Sequence, residues 1–514
     1  MGRVVSNLAG KAAPLLGREH AVLVVDCQAL GMIAVVRSLG RAGYKVHAAS
    51  SDRDALGFHS SFRSVDVCHP PYADASFLPW LQDYVQSNRI AAIIPSEAFL
   101  HAIRSEFERY RSLIPDATSV SIWEVCLSKV ATQRLLLESG AHSQHLPPGG
   151  IITSAVDSPD LAELGRHSGP FYLKADSGHG IGHTRATVIR CEDASSLIRE
   201  IELLRPSYHA LLWQGFAPGM KVGVSLWRHH GAVMAESMVL GLHMHPHGGG
   251  MMSLRKTFWH EAILADAKQK MERLGWQGVA MMEYKWNPTT DEFWFIEINA
   301  RYWGYLHLDL FAGKDFPRLQ LDAHFGQVAS DMGPPRSELY CRDTVPGEVL
   351  YLVSLLKDAK VSRRAKLWRV LVFGALFFHP TMKSDLLFPA DRSLYWRAWL
   401  RFLPDLVAAR WLGGPAPRRP GRRVTHRHAW RSAPGIGAVA ALFPGTAAKA
   451  GARPIEPAAL GRDDHGAAQI DQQFMPRRTG LLLVHRQAGG RRQDQDGDAR
   501  SERDETAALA PQPP

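Results

Sequence analysis

The sequence predicts an α/β chain: a small doubly wound unit, then a larger α+β unit, a helical extension and a tail without a core. Three stretches carry that prediction. Ala21-Val22-Leu23-Val24-Val25 is an unbroken apolar run, as in strands buried on both faces of a parallel sheet. A β–α–β rhythm follows it as far as Ile93-Ile94-Pro95. Further on, Val279–Lys285 and Glu292–Arg301 read as strands joined by the turn residues Asn287-Pro288-Thr289-Thr290-Asp291, and so as an antiparallel hairpin.

The 514 residues suffice for several domains with cores of their own. Hydrophobic content of 46% and charged content of 21% are those of a soluble globular protein. The net charge of +10 invites a nucleic-acid or anionic-membrane reading. Much of it is arginine in the tail, however, and says little about the core. Cys27, Cys68, Cys126, Cys191 and Cys341 are scattered without metal spacing and read as reduced, buried thiols. The apolar stretch after Met1 is too broken for a signal peptide. No run approaches the ~20 apolar residues of a membrane span. Val370–Phe378, the most hydrophobic short segment, reads as a helix packed on the core. Together these features predict a cytoplasmic chain with no transmembrane segment and no specific nucleic-acid partner.

Taken in order, residues 1–20 read as a flexible lead. The first strand ends at Asp26. Gly31–Leu39 reads as a helix with Ile33, Val36 and Leu39 inward, closed by Gly40 and Gly43, and Tyr44–Ala48 as the next strand. No Gly-x-Gly-x-x-Gly follows the first strand, so no dinucleotide is predicted. Asp26 and the Pro95-Ser96-Glu97 turn lie past the carboxyl ends of strands. Facing a ligand and plain turn chemistry both fit them. Ser128-Lys129 opens a helix through Leu137.

Phe171–Lys174 is a strand ending in lysine, followed by Ser177-Gly178-His179-Gly180-Ile181-Gly182. Glycines let backbone N–H groups approach a phosphate closely, and the strand lysine supplies a fixed charge. A hairpin with a mobile tip is the alternative. Met220–Leu226 and Val233–Leu240 are further strands. His243, His245 and His247 at period two fit a transition metal, but Pro246 interrupts them and no acidic or cysteine ligand accompanies them. Glu261–Leu274 is an amphipathic helix with Ile263, Ala267, Met271 and Leu274 inward.

The hairpin carries the chemistry. Alternation with period two puts Phe293, Phe295, Glu297, Asn299 and Arg301 on one face and Trp294, Ile296 and Ile298 on the other. Carboxylate and amide oxygens two residues apart are hard ligands of the kind Mg²⁺ takes beside phosphates. An arginine two residues on can hold a phosphate in a bidentate fork. The hairpin brings Glu283 beside Glu297, and two carboxylates so placed repel unless a cation sits between them.

Glu283, then Phe295-Ile296-Glu297-Ile298-Asn299-Ala300-Arg301-Tyr302-Trp303-Gly304, then Ala312-Gly313-Lys314-Asp315-Phe316-Pro317 resemble the metal-binding end of an ATP-grasp domain. The nearest group is the carbamoyl-phosphate-synthetase-like carboxylate–amine ligases. Ala300 stands where that family usually has proline. The resemblance covers roughly residues 20–330. It implies a pre-ATP-grasp domain over 21–118 and a two-lobed ATP-grasp domain over 119–330. It implies ATP, with Mg²⁺ or Mn²⁺ on Glu283, Glu297 and Asn299. Lys129, Lys174, Ser177, Gly178, Gly180, Gln214 and Phe216 would meet the nucleotide, and Arg301 and Lys174 would act in catalysis. Ala210–Gly219 resembles the adenine hinge, with Gly215 where an acidic residue is usual. Arg255 or Lys256 would serve a substrate carboxylate or the acyl-phosphate.

The implied activity is ligation: a small carboxylate is activated as an acyl-phosphate and attacked by an amine or another nucleophile, in a chain free to form homo-oligomers. Two other readings stand beside it. One is a nucleotide-binding module that keeps the fold without ligation; the other is an adaptor to nucleic acid or membrane through the basic tail.

Residues 331–412 read as a helical extension: Gly347–Lys357, Arg364–Phe378 and Tyr395–Trp411, with Tyr395, Trp396 and Trp399 packed on the core. From 413 to 514 Pro, Gly, Ala and Arg dominate, and Trp430, Phe443 and Phe474 are the only aromatic rings besides histidine. That composition predicts disorder.

Overall fold

The structure is a computed structural model that describes residues 20–153, 169–176, 179–181, 186–247, 250–327 and 338–411. Ser177, Gly178, Gly182, the Gly248-Gly249 pair, the lead through residue 19 and the tail expected over 413–514 lie outside the described residues.

The apolar runs near the N-terminus become β1 (Ala21–Val24), β2 (Lys45–Ser50), β3 (Val65–Cys68) and β4 (Ile90–Ile94). They form a parallel sheet in the order β3-β2-β1-β4. Strand order reverses between β1 and β4, so the crevice for a ligand opens at their carboxyl ends. Asp26 sits there with φ of 53°, a left-handed conformation that Asp tolerates. The helix Leu30–Arg41 is buried on every side from Gly31 to Leu39, Gly40 being part of the helix rather than its end. A helix apolar all round needs cover on both flanks. The first sheet covers one, and Leu386, Leu394 and Tyr395 of the extension cover Ile33 on another.

The second sheet joins β5 (Gly149–Thr153), β6 (Phe171–Ala175), β7 (Thr187–Cys191) and β8 (Ala210–Gly215), antiparallel, in the order β5-β8-β6-β7. Leu197 and Ile201 of helix Ala194–Leu204 pack on its Leu173 and Trp213 face. The opposite face, with Ala210 and Leu212, meets Val130 of helix Lys129–Leu137. Lys174 pairs with Leu212 across β6 and β8, so it shares that second face.

The third sheet has β9 (Met220–His229), β10 (Ala232–His245), β11 (Met251–Thr257), β12 (Gly278–Trp286), β13 (Phe293–Asn299), β14 (Tyr340–Arg342) and β15 (Met382–Ser384). Their order is β13-β12-β9-β10-β11-β14-β15, antiparallel except for the last pair. One apolar cluster runs from Val22, Val35 and Leu39 through Trp303 and Leu306 to Trp227 and Val239, so the first and third sheets share a core.

Further expectations change. Trp396 does not pack on the core beside Tyr395, for it is 62% exposed. The simple alternation along β13 fails, because a bulge at Ile296 shifts the register between Phe295, opposite Tyr284, and Glu297, opposite Glu283. One extra residue reverses the facing of everything beyond it. Phe293 and Phe295 therefore turn into the core, and Glu297 and Asn299 share the other face with Trp294. Arg255 does not face a substrate. It is 1% exposed and paired with buried Asp385. The helix Arg363–Ala375 is not packed into the core, for none of its residues is buried. Cys68 is exposed, whereas the other four cysteines are buried, and all five are free.

A polar network ties the extension down. Arg37, wholly buried, donates from Nε to Asp391 at 2.8 Å, from Nη1 to the carbonyl of Asp385 at 2.7 Å and from Nη2 to that of Leu386 at 3.0 Å. It also reaches His307 Nε2 at 2.8 Å. Burial, with Arg37 beside it, lowers His307 to about 3. The ring is therefore neutral and accepts at Nε2, which leaves its proton on Nδ1. His243, from the histidine run, bonds Glu348 at 3.1 Å and stacks on Tyr351. Among the described residues no group of three His, Cys, Asp or Glu side chains is placed to hold a metal.

Candidate active site

Glu283 on β12 lies directly opposite Glu297 on β13. Cβ atoms so paired are about 5 Å apart, so each carboxylate needs a compensating charge. Each has a lysine. Lys129 Nζ pairs with Glu297 Oε2. Lys221, on β9 diagonally across from Glu283, pairs with its Oε1 at 2.6 Å. Burial alone would raise the Glu297 carboxyl. Lys129, Lys174 and Lys221 outweigh burial and hold it at about 2. Burial likewise works against the Lys129 ammonium, and Glu297, with Glu97 and Glu283 behind it, more than offsets that and raises it.

Lys129 is the first residue of its helix. Ser128 caps that helix, its Oγ accepting from Ala131 N at 3.0 Å. Asp176, just past β6, takes Val130 N at 3.1 Å and Ser128 Oγ at 2.9 Å, and on its other oxygen His179 Nδ1 at 3.0 Å. It thus binds the start of the Lys129 helix to the end of the Lys174 strand. The two lysines are set side by side by one carboxylate that touches neither. Lys174 is 6% exposed. Burial lowers its ammonium to about 8, with Lys129 and Lys221 adding to the drop and Glu297 and Glu283 opposing it.

Arg301 closes the other end. Its guanidinium donates to Asn299 Oδ1 at 3.0 Å and to the Tyr302 carbonyl at 3.0 Å, and pairs with Glu97 at 3.4 Å. Asn299 Nδ2 donates weakly to Glu297 Oε1 at 3.4 Å. Glu97 reaches Arg301 from the first residue of a helix capped by Ser96, whose hydroxyl also bonds Asp26. Of the two readings of Asp26 and Glu97, these contacts show the turn chemistry. Behind the site, Gly223 faces Glu283, and a Cβ there would lie 2.0 Å from the Tyr305 hydroxyl, so only glycine fits.

Glu283, Glu297, Asn299, Lys129, Lys174 and Arg301 are thus linked by contact or by charge. Gly180 forms a bridge with Tyr208. The Gln214 side chain is 2% exposed and bonds Gln133 at 3.3 Å, so only its backbone can serve as a hinge. Phe216 is 49% exposed. Beside it Gly215 donates its N–H to the Pro148 carbonyl at 2.7 Å, and a Cβ there would meet nothing closer than 3.5 Å. Lys221 and Asp176 were not among the expected residues. Lys221 could have been found by registering Met220–Leu226 against Val279–Lys285. Asp176 carried no local signal.

Neither a protein-family model nor a curated protein matches the chain. Solved structures do. A biotin carboxylase–β,γ-ATP complex from Campylobacter jejuni superposes with a TM-score of 0.50 at 14% identity, over 62% of this chain and 74% of that one. An L-amino acid ligase from Bacillus licheniformis gives a TM-score of 0.47 at 15% identity, over 63% and 79%. An N5-carboxyaminoimidazole synthetase from Staphylococcus aureus gives 0.47 at 14%, over 61% and 78%. At such identities the likeness is one of fold. With a parallel sheet leading into a small and then a large antiparallel sheet, the chain has the ATP-grasp fold.

Proposed function

We propose that the chain is an ATP-dependent ligase joining a small carboxylate to an amine or another nucleophile. One observation carries this reading: Lys129, Lys174 and Lys221 converge on the Glu283–Glu297 pair from three different elements. A cluster of anion-binding lysines sharing two carboxylates suits a substrate that brings phosphates and a divalent cation together. Glu283, Glu297 and the Asn299 amide form the hard-oxygen set that Mg²⁺ or Mn²⁺ accepts beside phosphate ligands. Bound there, the metal would supply neutralising charge to the phosphate oxygens.

The chain's own groups do the rest. Lys129 and Lys221, paired with Glu297 and Glu283, would be free to meet phosphate oxygens were the carboxylates to hold a cation. Lys174, buried, supplies a fixed charge. Arg301, held by Asn299 and Glu97, meets the substrate carboxylate or its phosphorylated form. The carboxylate oxygen forms a bond to the γ-phosphorus and ADP leaves. The nucleophile then attacks the acyl carbon, phosphate leaves with the C–O bonding pair, and the proton given up by the nucleophile passes to the departing phosphate or to water. No side-chain nucleophile is required.

The test is phosphate release from Mg-ATP by the full chain, offered pooled amino acids and small carboxylates. Acceptor-stimulated release that stops on chelation of the metal is expected. Absence of ATP binding would sink the reading. Binding without turnover on any pool would favour a nucleotide-binding module, to which Gly215 in the hinge already points.

The state of Lys174 gives a pH dependence. In the free protein its ammonium titrates at about 8, and an adjacent phosphate raises that value. Between the two values ATP binding takes up a proton, so affinity is full below about pH 8 and declines above it. Calorimetry in buffers of different ionisation enthalpy reads the uptake directly. Lys174→Met is expected to bind about tenfold or more weakly below pH 8 and to lose the uptake. An unchanged proton count in that variant would assign the titration elsewhere.

A further inference from the structure

The C-terminal extension turns apolar side chains outward on two helices. Along Arg363–Ala375 and just past its end, Leu367 is 63% exposed, Leu371 58% and Phe378 88%. Leu367 and Leu371, four residues apart, share one helix face, and Phe378 follows in the turn past the helix end. On Ser393–Trp411, Trp396 is 62% exposed, Leu400 72% and Leu403 44%, again at four and three residues. The inward stripe of that second helix is separate: Leu394, Tyr395 and Phe402 are buried.

Charge says what these stripes meet. Between Asp358 and Asp385 there is no acidic residue, while Lys360, Arg363, Arg364, Lys366, Arg369 and Lys383 fall within that span. Arg363 and Arg364 are exposed at the start of the first stripe, and Arg397 and Arg401 alternate with the second. Apolar stripes edged by arginine, with tryptophan at their border, suit the boundary between acyl chains and anionic headgroups. A second copy of the chain fits poorly, because a two-fold contact would set these like charges against each other. No helix among the described residues is long and apolar enough to cross a membrane, so the fit is to a surface.

We propose that the exposed stripe of the helix Arg363–Ala375, with Phe378 past its end, docks on an anionic lipid bilayer. Leu367, Leu371 and Phe378 enter the headgroup–acyl boundary, and the flanking Arg363 and Arg364 lie at the lipid phosphates. Each such basic residue contributes about fivefold in affinity for an anionic surface, and that part is lost in salt.

The experiment is flotation of the full chain with vesicles of phosphatidylcholine alone or mixed with phosphatidylglycerol, at low and high salt. Wild type is expected to float with the mixed vesicles at low salt and far less with phosphatidylcholine. Two variants change only exposed residues: Leu367→Ser with Leu371→Ser and Phe378→Ser, and Arg363→Glu with Arg364→Glu. Both should melt like wild type and bind mixed vesicles roughly tenfold or more weakly. Three results would overturn the proposal. Wild type floats with neither vesicle. Both variants float as well as wild type, which assigns binding to the arginine-rich tail they retain. Or sedimentation finds a wild-type dimer that the serine variant breaks, which gives the face to a second copy.

Discussion

Glu297→Ala is expected to lower Mg²⁺-dependent phosphate release by roughly a thousandfold. Of the two paired carboxylates, Glu297 is the one whose charge is set by Lys129, Lys174 and Lys221 together. Its removal takes away a proposed metal ligand and leaves three ammoniums balanced by Glu283 nearby. Lys174, already at about 8 because of its burial, loses its largest stabilising neighbour and moves further down. The loss is thus doubled: weaker cation binding, and a phosphate-facing lysine that is charged less of the time.

Glu297→Gln separates chemistry from folding, because it keeps the volume and can still accept from Lys129. It should be as inactive as the alanine variant and remain folded. Its stability deficit should depend on pH. The wild-type carboxyl falls from its ordinary 4.5 to about 2 in the folded chain, so its stabilisation is complete above 4.5 and fades as pH drops toward 2. Denaturation of wild type and Glu297→Gln should therefore converge below pH 4.5. Retention of a tenth or more of wild-type turnover by the glutamine variant would remove Glu297 from the metal site.

The hairpin was legible because its signals are local: turn residues at Asn287–Asp291 and β-rich flanks. Lys174 before glycines and Lys129 at a helix start are equally local features. What escaped depends on register or distance. The bulge at Ile296 is a single residue, and alternation carries no mark of it. Lys221 meets Glu283 only once β9 is set beside β12. Arg255 looked available because its partner Asp385 lies 130 residues away. Val370–Phe378 misled for another reason. Apolar residues fill cores, but much apolar surface also stays outside, so hydrophobicity alone does not assign a helix to the interior. In Leu30–Leu39, apolar but for Arg37 and Ser38, the arginine has no solvent-facing side and so requires a buried partner.

That partner makes Arg37→Ala the substitution with the largest expected effect on stability, a loss of about 3–5 kcal/mol. Asp391 would stay buried, with Ser60 Oγ at 2.8 Å, Ser61 N at 2.9 Å and Ser61 Oγ at 3.2 Å as remaining donors but without a cation. The carbonyls of Asp385 and Leu386 would lose their guanidinium donors as well. Since Arg37 belongs to the first unit and Asp391 to the extension, 354 residues apart, the damage should appear where they join. Denaturant melts should show the loss, and limited proteolysis should cut first within 385–411. A loss under about 1 kcal/mol would mean that water or local rearrangement replaces the guanidinium. Arg37→Met combined with Asp391→Leu refines the test. Removing both charges leaves no uncompensated ion, so the double variant should regain at least half of what Arg37→Ala loses. If it regains nothing, the carbonyl bonds of Arg37, rather than its charge, fasten the extension to the core.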